Sequence, residues 1–282
     1  MSATSSRAPD GIWPASRRGR VGAWLTRRRA IGAALLALVA ALALLGPLHG
    51  ADPLRQDLSA ALLPPSAAHP LGTDQLGRDL LARLAAGARL SVGFALLAAL
   101  AAALPGTLLG LLAALRGGWV ERVLLGLADA VQALPGLLLV VLFTAFAPGA
   151  FLPLYLGLAL SLWVEFFRMA RGTAAAVLAR PQVEAARLLG FGPWTILRRH
   201  LWPEVAPVAA TLFAFAAGNA VTLVAALAFI GVAARPPIPE WGSMMTELLP
   251  YHAEAPLALL LPALCLFFTV LGLHLLAGRE RA

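Results

Sequence analysis

The 282-residue sequence has no lysine and only one cysteine, Cys265. A lone cysteine excludes an intrachain disulfide framework and a cysteine-based metal centre. Cys265 lies in an apolar run and reads as a small buried apolar residue. Charge is also scarce. Only 13% of the residues are charged, against about 25% in an average soluble domain. Hydrophobic residues make up 60% and the mean hydropathy is +0.81, which marks an integral membrane protein. All 22 basic residues are arginine, a bias of composition and not of chemistry. In a soluble protein, the net charge of +8 and the pI near 11.4 would suggest nucleic acid. Here the arginines are weighed first as topology signals, and no nucleic-acid partner is expected. A nucleophile–base arrangement, a phosphate-cradling glycine loop and a zinc signature are all missing. His49, His69 and His252 lack the spacing of a metal site. No cofactor and no metal is expected. The chain also has no soluble segment large enough for an ATPase, so any ATP hydrolysis belongs to separate subunits.

What the sequence does have is six apolar runs. Residues 1–29 form a polar tail with seven arginines, and no convincing signal-peptidase site follows it. Ala30–Leu48 is the first run, a retained anchor long enough for a hydrocarbon core of about 30 Å. Residues 49–89 form a polar segment. Residues 90–278 hold the remaining spans: Leu90–Leu115 with Pro105, Val123–Phe146 with Pro135, Phe151–Ala170, Val205–Val232 and Pro256–Leu276. Residues 279–282 are a short tail. With the N-terminus inside, 17 arginines lie on the cytoplasmic side, including Arg116, Arg122, Arg279 and Arg281. Five lie outside: Arg55, Arg78, Arg83, Arg89 and Arg235. The arginine excess predicts both termini in the cytoplasm.

The stretch PQVEAARLLGFGPWTILRRHLWP, residues 181–203, is the most arginine-rich connection between two apolar runs. Pro181 suits a first helical position, and Glu184 suits the first turn. Gly190 reads as a left-handed cap. Pro193 restarts a helix, Trp194–Trp202, which is expected to stop at Pro203. At about 13 Å that helix spans no membrane and suits a peg that docks into a groove.

A second motif, HPLGTDQLGRD, runs from His69 to Asp79. Thr73 is expected to cap an amphipathic helix starting at Asp74. In that helix Asp74–Arg78 and Asp79–Arg83 form i,i+4 pairs, and Leu76, Leu80 and Leu84 share a face. It either lies on the outer membrane surface or packs on the bundle, and a solvated, salt-bridged face accounts for its charges equally well. Asp129 and Glu165 are the acids inside the spans. With Arg122 and Arg168 close by, a structural role at the interface is preferred over a functional one. Asn219 lies deeper, where it bonds across helices or lines a path. The outer loop 233–254 is stiffened by proline at its start and acidic through Glu240, Glu247 and Glu254. Its Trp241 suits the interface or packing.

Four stretches together resemble the permeases of ABC importers, the EAA-loop family, and within it the second permease subunit of dipeptide, oligopeptide and nickel systems. They are His69–Asp79, Trp163–Gly172 with Arg168 and Arg171, Val183–Pro203, and Pro236–Met244 (PPIPEWGSM). Glu184, Ala185, Ala186, Gly190 and Pro203 match the coupling-loop signature. Gly72, Thr73, Asp74, Gly77, Arg78 and Asp79 match the motif before the second span. The resemblance implies an all-α type I permease with six transmembrane helices and a cytoplasmic coupling helix. It implies a plasma-membrane importer of small peptides, or of nickel or a metal chelate. Its implied partners are a second homologous permease in a heterodimer, two ATP-binding subunits, an extracytoplasmic solute-binding protein and membrane lipid. The chain departs from the family at Trp202 and Glu204, at Val224 and Ala228 near the end of the fifth span, and in its C-terminal tail. The competing readings are a gradient-driven secondary transporter using Asp129 or Glu165, and a membrane scaffold. The former often shows an inverted repeat, and none is visible.

Overall fold

The computed structural model describes residues 15–232 and 237–278, with side chains described from Arg27 onward. Residues 1–14, Arg235, Pro236, Arg279 and Arg281 lie outside the described residues. All regular structure among the described residues is helical. Helix α1 (Ala15–Leu45) begins well before Ala30, within the stretch composition marks as a polar tail. No proline falls between Pro14 and Pro47, and arginine is a good helix former. A 3₁₀ turn, Gly46–His49, then ends the element at Pro47.

Helix α2 (Leu80–Arg116) is 37 residues, about 55 Å long. It keeps Pro105 in its interior and overshoots a hydrocarbon core of about 30 Å. The expected third span is not one helix. Helices α3 (Gly118–Gln132) and α4 (Gly136–Phe146) meet at an angle of 80°. Pro135, which heads α4, has no amide hydrogen to continue α3. Helix α5 (Phe151–Leu178) follows, then α6 (Pro181–Leu188), α7 (Pro193–Ile196), α8 (Trp202–Phe229), α9 (Trp241–Leu248) and α10 (Pro256–Ala277). Among the described residues, five helical stretches are long and apolar enough to cross a membrane, and the bent α3–α4 pair makes a sixth if it is one broken span.

The most extensive helix pair is α2 with α5. Lipid gives helices no hydrophobic reason to associate, so small residues that allow close approach carry the packing. Helix α2 buries Ala95, Ala98, Ala99, Ala102, Gly106, Gly110 and Ala113. Gly106 and Gly110 lie against the α5 backbone at Trp163 and Phe167, a GxxxG contact. Helix α8 packs on α2, α10 and α9, while α1 packs chiefly on α10 and α2.

Candidate functional site

The 181–203 stretch folds largely as its caps dictate. Pro181 opens α6, Glu184 stands in its first turn, and Gly190 takes φ +81°. Phe191 N donates to Ala186 O (3.1 Å) and Gly190 N to Arg187 O (2.9 Å), the two bonds of a Schellman motif. Val183, Ala186, Ile196 and Leu201 turn inward and are buried. Glu184 and Ala185 are exposed, and Glu184 makes no ion pair among the described residues. Leu188 is 85% exposed, Leu189 76% and Trp194 71%, with Phe191 beside them. This apolar patch was visible in the sequence as four large apolar residues inside a polar connection, a signal the cap reading passed over.

The helix does not stop at Pro203. Residues Leu197–Leu201 form a π-helical turn that runs directly into α8, making Pro193–Phe229 one continuous rod. Pro203 sits in the first turn of α8, where its missing N–H costs little in that register. The two feet of the stretch are joined, because Arg180 Nη1 donates to Glu204 Oε1 at 2.7 Å. Two further pairs hold α3 to α5 at this end. Arg168 bonds Asp129 (2.6 Å) and Arg171 bonds Glu121 (2.6 Å by its Nε). Asp129 therefore pairs with Arg168 and not Arg122. Glu165 is exposed with no ion pair among the described residues. Asn219 is also exposed, on α8.

The opposite end of the bundle carries the second motif, and here the helix expected from Asp74 does not form. Asp74 Oδ1 accepts from Leu76 N (2.8 Å) and Arg78 N (2.9 Å), closing a tight loop. Gly77 and Gly72 adopt φ +70° and +81°, where L side chains are disfavoured. A Cβ on Gly77 would collide with the Asp57 carbonyl. Thr73 is no cap. Its hydroxyl donates to Ala60 O (2.5 Å) and accepts from Leu63 N (2.8 Å). Asp79 is the cap instead, accepting from Ala82 N at 2.8 Å to start α2.

The charges of this motif are buried rather than solvated. Asp74, Arg78 and Arg83 are each at most 1% exposed. Asp74 pairs with both arginines; Arg78 reaches it at 2.6 Å. Glu247 of α9 closes the cluster on Arg78 (2.5 Å) and Arg83 (3.0 Å). Arg83 thus bonds Asp74 and Glu247, while Asp79 faces His69 (2.9 Å) and His49 (3.5 Å). Trp241 is fully buried and donates to Leu84 O (3.2 Å), its indole lying on Gly87. Glu240 caps α9 and accepts from Ser91 of α2 at 3.1 Å. Helix α9 and its cap are therefore locked to the start of α2. Ser91, Leu84 and Glu247 carried no local signal of this.

Burial pushes the Glu240 carboxyl above its ordinary range, against hydrogen bonds from Ser243 and Ser91 that pull it down. A raised folded pKa means the folded state holds the proton more tightly. Stability conferred by protonation is full below the ordinary glutamate range and is lost as pH rises through the raised value. Glu240→Gln is expected to flatten the fall in thermal midpoint across that window. An unchanged slope would show that Glu240 is not the group responsible.

Residues 106–279 match the family model described as binding-protein-dependent transport system inner membrane component. The glutathione transport system permease protein GsiD of Pectobacterium atrosepticum is 35% identical over 217 residues, covering 77% of this chain and 72% of that protein. The proteins of the same name from Escherichia coli O6:K15:H31 and Shigella boydii serotype 4 give the same identity and coverage. This chain is a multi-pass bacterial inner-membrane protein, and it belongs to the binding-protein-dependent transport system inner membrane components, the permease subunits of ABC importers.

Proposed function

We propose that the chain forms half of a translocation pathway for small peptides and is driven through its 181–203 stretch by separate ATP-binding subunits. The observation that carries this reading is the exposed patch Leu188, Leu189, Phe191 and Trp194 around Glu184 and the Gly190 cap. Large apolar side chains left uncovered on a capped, rigid loop are a protein-docking surface. The arginine asymmetry supports a cytoplasmic place for it, with both termini on that side. Glu184, Ala185, Ala186 and Gly190 are the coupling residues, and Pro203 carries the motion into α8. A second homologous permease completes the pathway, with Asn219 exposed on α8 to face it, and an extracytoplasmic binding protein delivers the substrate. Small peptides are favoured because the relatives are named for glutathione, itself a tripeptide.

The test is uptake of labelled peptide by proteoliposomes holding the complete transporter, with binding protein outside and ATP inside. Uptake is expected to require ATP and to survive a protonophore. Uptake that persists without the ATPase subunits and collapses with the proton gradient would instead favour the secondary-transporter reading. A thermal-shift screen of the binding protein against peptides and nickel chelates separates the two substrate classes.

A further inference from the structure

We infer that a groove between α1, α8 and α10 is a binding site for an anionic phospholipid, one acyl chain lying in the groove and the phosphate on Arg29. The groove is a cavity of about 520 Å³ lined by Pro207, Ala210, Thr211 and Ala214 of α8, Leu276 and Ala277 of α10, and Arg29 of α1. That volume lies within the range of about 300–1,000 Å³ found for small-molecule sites. It forms because α1 and α8 each pack on α10 and leave a gap at this end. Residues 207, 210, 211 and 214 follow i, i+3, i+4, i+7 spacing, so α8 gives the groove one continuous wall.

The wall is apolar in practice. Its single hydroxyl, on Thr211, is turned back onto Pro207 O at 3.1 Å. Among the lining residues only Arg29 brings charge, and it is the last residue of α1 before the apolar stretch that begins at Ala30. The local field is positive. Arg27 and Arg29 are exposed, and the Arg28 guanidinium lies against Gly278 at the C-terminal end of α10. A cation at a helix C-terminus offsets the negative end of the helix dipole. Glu204, the one acid on α8, is engaged by Arg180. No described residue of α1 or α10 is acidic. An apolar slot closed by a cation at the membrane surface matches a lipid with an acyl tail and a negative head. Basic pockets between transmembrane helices bind such headgroups. A zwitterionic lipid fills the slot equally but gains less from Arg29.

The test needs no transport. The full chain is purified in a neutral detergent and mixed with phosphatidylglycerol, phosphatidylcholine of the same acyl chains, or glycerol phosphate. Native mass spectrometry reads retained adducts. Phosphatidylglycerol is expected to be retained about five-fold better than phosphatidylcholine, the advantage of one guanidinium at an anionic surface. Glycerol phosphate is not retained. Arg29→Gln brings the two lipids to parity, and Arg29→Lys keeps the preference. Filling the slot with Ala214→Phe removes both lipids; if that variant fails to fold, the Arg29 pair decides alone. Equal retention of the two lipids by the wild-type chain overturns the site. So does a preference unchanged in Arg29→Gln, or displacement of the lipid by the second permease.

Discussion

Glu184→Lys and Gly190→Asp are each expected to cut ATP-driven uptake by about thirty-fold or more, the equivalent of losing one interface hot spot of about 2 kcal/mol. Membrane abundance is expected to stay at the wild-type level. Glu184 is exposed and makes no ion pair within the described residues, so its reversal costs this chain only the favourable charge at the start of α6, on the order of 1 kcal/mol. A Cβ on Gly190 meets nothing within 4 Å, so Asp enters open space. Asp, like Asn, is among the few side chains that visit the left-handed backbone at φ +81°, so the main change is the carboxylate that now stands on the docking face. Gly190→Asn, which tolerates the left-handed backbone without adding charge, is expected to retain more uptake than Gly190→Asp. The measurement is peptide uptake and substrate-stimulated ATPase at equal abundance of the complete transporter. Normal uptake in both variants would remove the coupling assignment.

The second large effect is on stability, at the other end of the bundle. Arg83→Met leaves Asp74 and Glu247 facing a single arginine, with one buried negative charge uncompensated. Removing one partner of a buried ion pair costs about 3–5 kcal/mol. Asp74→Asn alone leaves an excess positive charge and is expected to be costly as well. The double variant Arg83→Met with Asp74→Asn restores neutrality through Arg78 and Glu247. It is expected to recover a large part of the loss in a detergent unfolding assay. Additive losses in the double variant would mean that the four charges do not act as one network.

What was legible in the sequence was what is decided locally. Pro181, Glu184 and Gly190 each act within one turn, so the shape of the 181–203 stretch followed from their chemistry. The Asp74–Arg78 spacing also named a true pair but the wrong backbone. An i,i+4 separation fits a helix, yet Asp74 spends one oxygen on backbone amides and Gly77 turns the chain left-handed. Glu247 was out of reach because its partners lie more than 160 residues away. Asp129 pairs with Arg168, one of the two arginines the sequence offered, across a separation of 39 residues. Glu204, which departs from the family pattern, has a plain local account as the partner of Arg180.

The π-helical turn at Leu197–Leu201 also has a mechanical meaning. By carrying the helix past Pro203 it joins the loop end to a single shaft, Pro193–Phe229, about 55 Å long. The far end of that shaft is fastened. Thr246 of α9 donates to Phe229 O at 2.9 Å, and Gly242 is pressed onto the backbone of Ala225. Helix α9 is in turn riveted to the start of α2 by Glu247 and Glu240. Under the proposed coupling, a load applied at Trp194 enters one unbroken helix. Its stroke is carried along that helix to the clasp at α9.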